Sequence, residues 1–363
     1  MKQLKYTVGF SSPAFLGNAE QSAQWRAPPF KALLRQWWRV VKAKGVGYDH
    51  IRLRQEEMRL FGAASDAGSE RSHQSLVRLR LSAWDEGSLP EVRRGQMVVH
   101  QEVPDGQVGA NLYLGYGPIG GQTRNAIAPT SDVHTLSIQC PDEHVPDIHK
   151  AMQLVAWFGT LGSRSRNGWG AIHIDGQAIK DFSELSMVNL TALIEPRPLK
   201  ECLKNEWLHA LGKDEAGIPL VWRLLKKNDE NHTLEPFNTW EDVMKELARI
   251  KIAVRTSEKF NFSGGGSTGH PKPQWRHVLA YPAGNQHNVA PWGKDGRLAN
   301  QILFKVHRHR GGYAATIAHF PSCIPAHMAS RLELPDQGAV WKEVHRLLDN
   351  QRPGLRRIQG AQA

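Results

Sequence analysis

Arg164 and Arg166, two residues apart, lie in a stretch that also holds Gly159, Gly162, Gly168 and Gly170 between Trp157 and the end of the loop. Each guanidinium presents a planar fork of donors that suits phosphate, and glycine admits positive φ angles and close approach by another backbone. The chemistry to which these types point is the holding of a phosphodiester backbone, with Asn167 and Trp169 of the same loop as further candidate RNA contacts. A nucleotide-binding P-loop uses similar residues, but it runs from strand to helix and needs Gly-Lys followed by Ser or Thr. Here a helical pattern leads into the loop, a strand pattern leaves it and the lysine is missing. An ordinary glycine-rich turn with solvated arginines stays open as the competing account.

A second basic set is Lys31, Arg35, Arg39 and Lys42. These residues recur at helical spacing beside an apolar arc formed by Phe30, Leu33, Leu34, Trp37, Val40 and Val41, and Trp38, on the border of that arc, joins the RNA-contact candidates. A charged helix face is usually just solvated. In this helix every charge is positive, so neighbours four apart repel unless an anion sits between them. Tyr113 and Tyr116, in a long Gly- and Pro-rich stretch, are equally able to stack on bases or to pack a loop. The expectation from these residues is that Arg35, Arg39, Arg164 and Arg166 share one face, and that Gly168→Val reduces RNA binding while the folded core survives.

Catalytic and metal signatures are sparse. His307 and His309 face one side of a predicted strand with no acid or cysteine beside them in sequence, which reads as a surface pair. No Gly-x-Ser-x-Gly elbow, His-Glu-x-x-His motif or carboxylate pair at helical spacing occurs. Seventeen histidines keep general acid-base cleavage of RNA open as the competing class. His270, Lys272, Trp275, Arg276 and His277 form a basic-aromatic cluster beside the Ser263 to Gly269 stretch; it reads first as a mobile surface loop, with contact to RNA as the alternative.

The elements that must position these residues follow from periodicity. Leu4, Tyr6, Val8 and Phe10 alternate with polar residues and predict a strand, and Pro28-Pro29 starts a helix running to about Ala43. A short helix over 56–61, strands over 75–84 and 133–139, a helix carrying Ile148, Met152 and Val155, and a strand from Ala171 complete the first half. The order is βαβ twice, the split pattern of a ferredoxin-like sheet such as RNA-recognition domains share, though without their aromatic signature on the central strands. Beyond a boundary near 175–185, helices are expected over 199–211, 240–250 and 339–348, with a hairpin formed by 302–307 and 313–318. The tail, with Arg352, Arg356 and Arg357, reads as disordered and weakly attractive to nucleic acid.

Composition bounds the rest. The chain has 363 residues, enough for two domains, and 46 Lys and Arg against 35 Asp and Glu give a net charge of +11 that favours a polyanionic partner. It contains no apolar run of the ~20 residues a membrane helix needs and no evident signal peptide, so a cytoplasmic protein is expected. Cys140, Cys202 and Cys323 are far apart and odd in number, which fits core thiols rather than disulfides or a metal cluster.

Several motifs resemble one family. Ser12-Pro13-Ala14-Phe15-Leu16-Gly17 follows the first strand, and Arg26-Ala27-Pro28-Pro29-Phe30 through Trp37-Trp38-Arg39 forms the next motif. Leu60-Phe61-Gly62, Tyr113 to Gly117, the glycine loop, Leu303-Phe304-Lys305-Val306-His307 and Gly311-Gly312-Tyr313 come after. In type and order they resemble the RAMP superfamily of CRISPR systems, and within it the first-subunit family of type III-B (Cmr) effector complexes. Ala32 stands where that family often has Gly, and Asn167 where a second arginine is common. The resemblance implies an α+β fold of two ferredoxin-like (RRM-like) domains, residues 1–180 with the glycine-rich loop and 181–363 with helical insertions. It implies no metal, no nucleotide cofactor and no catalytic residue in this chain. Its partners would be guide RNA, complementary target RNA and other RAMP subunits of an antiviral ribonucleoprotein, which this chain would contact near the 3′ portion of the guide to help capture target RNA. A guide-RNA-processing endoribonuclease of the same superfamily is the alternative.

Overall fold

The computed structural model of the chain describes residues 1–63, 72–121, 125–129, 133–176, 178–204, 206–207, 209–264, 269–282, 287–293, 295–330, 332–350 and 354–359. The Gly-, Ala- and Ser-rich stretch at 64–71, the middle of the 263–269 stretch and Arg352 lie outside the described residues. The chain is α+β.

In the first half, β1 (Lys2–Phe10), α1 (Ala27–Lys42), α2 (His50–Phe61), β2 (Arg78–Leu81), β3 (His134–Cys140), α3 (Val145–Phe158) and β4 (Ile172–Asp175) follow one another. Leu4, Tyr6 and Val8 turn inward from β1 because strand side chains alternate, and Gln3, Lys5 and Thr7 stay on the open face. The strands lie in the order β2-β3-β1-β4, every neighbour antiparallel, with Leu4 opposite Ile138 and Val8 opposite Ile174. A slip of one residue would turn that apolar row to solvent, so the buried face sets the register. Two prolines open α1, which buries Phe30, Leu33, Leu34, Trp37 and Trp38 and packs on α3. Each such side chain contributes roughly 1.5–3 kcal/mol on burial.

The second half repeats the plan with β5 (Val221–Leu224), α4 (Trp240–Arg255), β6 (Ile302–His309), β7 (Gly312–His319), α5 (Gln337–Asn350) and β8 (Leu355–Arg357). Its sheet order is β6-β7-β5-β8, again antiparallel throughout. In each half the second strand pairs the third, the third the first and the first the fourth. The two cores interleave: Val221, Leu303, Phe320 and Ile358 belong to the cluster under the first sheet, while Phe15, Leu114 and Trp169 belong to the cluster under the second. Trp37 stacks on Phe158 with centroids 5.6 Å apart and meets Phe320 edge-on at 5.5 Å.

One buried cation ties the halves. Lys305 of β6 is wholly buried, and its Nζ donates to the carbonyls of Val155 and Ala156 at 2.7 and 2.6 Å. These lie in the last turn of α3, the negative end of the helix dipole. Burial pushes the Lys305 ammonium well below its ordinary pKa.

Several expectations are corrected. The helix expected over 199–211 stops at Cys202, because Arg197 N–H bonds the Leu211 carbonyl and a short parallel pairing of 197–198 with 212–213 turns the chain. Arg356 and Arg357 are strand residues, and Arg357 is held by Asp214 and Asp349, so the tail they belong to is not disordered there. His307 and His309 are buried rather than surface residues; both lie against Phe182, and His307 Nε2 shares a 2.8 Å hydrogen bond with Thr316 Oγ1. His270, Arg276 and His277 are buried too, Arg276 against Glu102 at 2.5 Å, so this cluster is part of the packing. The stretch 85–130 holds a small hairpin, Met97–Val99 with Gln107–Gly109, and a helix, Ala110–Gly115, that packs on α4.

Candidate nucleic-acid interface

The glycine loop leaves α3 at Gly159, whose φ of −70° is ordinary and whose N–H closes on the Val155 carbonyl at 2.8 Å. It is then laced to the stretch after β1. Ser163 N–H bonds the Phe15 carbonyl at 2.9 Å, Gly170 N–H bonds Pro13 at 2.9 Å, and Ser12 Oγ donates to the Gly168 carbonyl at 2.6 Å. Gly162 has φ +92°, and a Cβ there would stand 2.6 Å from the Phe15 carbonyl oxygen. Gly168 has φ +93° and faces Met244 and Leu247 of α4, where a Cβ would meet sulfur at 3.0 Å. The close neighbours that require glycine are therefore the chain's own backbone and helix. The expectation that these glycines admit another chain is corrected accordingly.

From that rigid loop the two arginines diverge. Arg166 turns toward α1 and lines a cleft of about 540 Å³ with Arg35, Arg39, Arg297, Trp207 and His209. Arg164, with φ +55°, turns the other way; its Nε donates to the Tyr116 carbonyl at 2.7 Å, and it lines a second cleft with Lys251 and Arg255. The single face expected for Arg35, Arg39, Arg164 and Arg166 is thus a shared cleft for three of them.

The repulsion along α1 is relieved by the protein itself. Glu57 of α2 accepts from Arg35 Nε at 2.7 Å and from Arg39 Nε and Nη2 at 2.6 and 2.5 Å. Burial alone would raise the Glu57 pKa, but the hydrogen bonds and charges of Arg39 and Arg35 outweigh it and hold the carboxyl below the ordinary glutamate value. Arg35 keeps both Nη groups, and Arg39 its Nη1, without a protein partner among the described residues. Arg166 Nη1 donates to the Asn300 carbonyl, and burial lowers its pKa to about 10, which leaves it charged at neutral pH. His209 is pushed down to about 2 by burial and the nearby charge of Arg39, and stays neutral.

Other candidates are placed elsewhere. Trp38 is 1% exposed and meets Phe61 edge-on; Trp169 is fully buried between Phe15 and Trp240. Neither ring has a face for a base, and both are corrected to core residues. Lys31 donates to Ser75 Oγ at 2.7 Å, and Lys42 lies between Glu56 at 3.7 Å and Asp147 at 3.3 Å; neither lines the Arg35 cleft. Asn167 bridges inward, its Nδ2 to the Leu114 carbonyl at 2.9 Å and its Oδ1 to Lys251 Nζ at 2.8 Å. Trp207 and Arg297 of the first cleft escaped the sequence reading, since nothing local separates them from other surface residues. Lys251 and Arg255 escaped because α4 continues five residues past the expected end at Ile250. Their i,i+4 spacing was the available signal. Among the described residues no group of three or more His, Cys, Asp or Glu side chains is arranged to hold a metal ion, and no helix is long and apolar enough to cross a membrane.

No protein-family model matches the chain, and no curated protein sequence matches it. Solved structures similar to it include the apo crystal structure of Cmr1 from Pyrococcus furiosus, at 16% identity over 95% of this chain and 97% of that one, with a TM-score of 0.46. A chain of the type III-B Cmr-beta complex bound to cognate target RNA is similar at 11% identity over 96% of this chain and 100% of that one, TM-score 0.46. A chain of the same complex with AMPPnP and single-stranded DNA also present is similar at 10% identity over 95% and 98%, TM-score 0.43.

Proposed function

We propose that this chain is a non-catalytic RNA-binding subunit of a type III-B CRISPR ribonucleoprotein, working in the cytoplasm beside other RAMP subunits. In this reading it contacts guide RNA, target RNA or both near the 3′ end of the guide and helps capture target. The observation that carries RNA binding is the convergence of Arg35 and Arg39 with Arg166, from elements far apart in sequence, on one cleft beside Trp207. Free guanidinium donors there suit phosphates. The ordered motifs of the sequence support the choice of complex. The non-catalytic part rests on the sequence, which offers no catalytic motif; within the cleft, burial and the charge of Arg39 also push the His209 imidazole below its ordinary pKa, which disfavours it as a general base.

The test is titration of labelled single-stranded RNA against salt. Arg39→Ala and Arg166→Ala should each weaken binding and flatten the log-log salt slope by about 0.7 for each phosphate no longer neutralised. Unchanged affinity and slope in both variants would sink the reading. Incubation with a labelled repeat RNA tests the endoribonuclease alternative, since cleavage at a defined position would overturn the non-catalytic assignment. Co-purification of the full chain from its host checks the partner subunits.

A further inference from the structure

The second cleft, about 570 Å³ between α4, α5 and the Tyr113–Gly117 turn, is lined by two unlike sets of side chains. Ile250, Val254, Leu279, Ile302, Val344 and Leu348 make an apolar floor. Beside them in the lining stand Arg164, Lys251 and Arg255. Lys251 and Arg255 are four apart on the last turns of α4 and so lie side by side. Lys251 is set by Asn167 Oδ1 at 2.8 Å and lies over the Tyr113 ring at 5.7 Å, while Arg164 is set by the Tyr116 carbonyl. The fourth cation, Arg276, has its carboxylate, Glu102, at 2.5 Å. Among the described residues no carboxylate lies within salt-bridge distance of the other three, although the Glu102 carboxylate also feels the charge of Arg255. Desolvation first, then the charges of Arg255 and Arg164, pushes the Lys251 ammonium well below its ordinary pKa. Like charges crowded in this way destabilise one another, and an anion among them relieves the repulsion.

An inorganic anion would satisfy the cations and leave the floor wet; an apolar ligand would cover the floor and leave the cations unpaired. We propose that this cleft binds one nucleoside phosphate, its base on the floor and its phosphate on Arg164, Lys251 and Arg255. The volume falls within that of pockets enclosing small organic ligands. Such a ligand is either a free mononucleotide or a single nucleotide of an RNA chain, and the second source rests on the RNA-binding reading above.

The two sources are separated by titrating the full chain with AMP and UMP, with inorganic phosphate, with adenosine and uridine, and with labelled single-stranded RNA. A free-nucleotide site binds a mononucleotide at least about tenfold more tightly than phosphate or the nucleoside, and loses about tenfold or more in Arg255→Ala. An RNA-borne nucleotide shows instead as the same loss in RNA affinity without measurable mononucleotide binding. Arg39→Ala, in the other cleft, should leave mononucleotide affinity unchanged. The backbone carbonyl of Arg255, which accepts from Arg276, survives the substitution, and no carboxylate lies within salt-bridge distance of its guanidinium among the described residues, so its variant should melt close to the parent; Lys251→Met provides an independent variant. Phosphate binding as tight as mononucleotide binding, or both variants leaving both titrations unchanged, overturns the proposal. If Arg39→Ala weakens RNA binding while the Arg255 and Lys251 variants are silent, this inference falls and the RNA reading stands; mononucleotide binding with no RNA binding gives the reverse.

Discussion

Glu57 decides how the basic flank of α1 can act, because one buried carboxylate fixes two guanidiniums and leaves their outer donors pointing into the cleft. Glu57→Gln should cost roughly 1–3 kcal/mol, the range for losing hydrogen bonds to a charged group. The sign with pH follows from the lowered carboxyl pKa: the ion pair's contribution is fully present above the ordinary glutamate value and is lost as pH falls through the lowered one. Denaturant melts of parent and variant should therefore differ at neutral pH and converge in acid; a constant difference would contradict the ion-pair account. Gly168 carries a second expectation. With φ +93° and Met244 and Leu247 against it, Gly168→Val should lose more than about 1 kcal/mol of stability, whereas Arg164→Ala, which gives up one exposed hydrogen bond to the Tyr116 carbonyl, should lose less. Thermal melting checks this, and a parental melt for Gly168→Val would show that the α4 contact yields easily.

At the scale of elements, α4 matters most to both clefts, since it backs Gly168 with Met244 and Leu247 and presents Lys251 and Arg255. Thr239 caps it, its Oγ1 accepting from the Asp242 N–H at 3.2 Å and donating to the Asp242 carboxylate at 2.8 Å. Thr239→Ala should cost about 1 kcal/mol, read as a shifted denaturant midpoint with an unchanged slope. The elements that sequence alone made legible are those with one buried face and a clear start. β1 alternates, α1 opens on two prolines, and the β6–β7 hairpin turns at Gly311-Gly312. The elements it hid are those made by distant partners. The chain after Cys202 has helical spacing, yet Leu211 is brought back to Arg197 by a backbone hydrogen bond, and β8 pairs with β5 while Asp214 and Asp349 receive Arg357. The same holds for the site. Arg35, Arg39 and Arg166 were visible as residue types, whereas Glu57 between the first two, and the parting of Arg164 from Arg166, depend on contacts that periodicity does not encode.

For the whole molecule, two sheets of the same strand order share interleaved cores, so neither half closes without the other. Calorimetry of the full chain should show one transition, with van't Hoff and calorimetric enthalpies agreeing. Residues 1–180 alone should fail to give a cooperative melt, because Leu303 and Phe320 are missing from the cluster around Trp37; two resolved transitions would refute this coupling. The buried ammonium of Lys305 extends the point to biogenesis. Its acceptor on Val155 leaves the ribosome 150 residues earlier, which at ordinary elongation rates is roughly 8–30 s. Throughout that interval the last carbonyls of α3 lack the Lys305 donor and the aromatic cluster is uncovered, the kind of surface chaperones bind. Synthesis rate and chaperone supply, more than equilibrium stability, should then set how much of this protein reaches its native state.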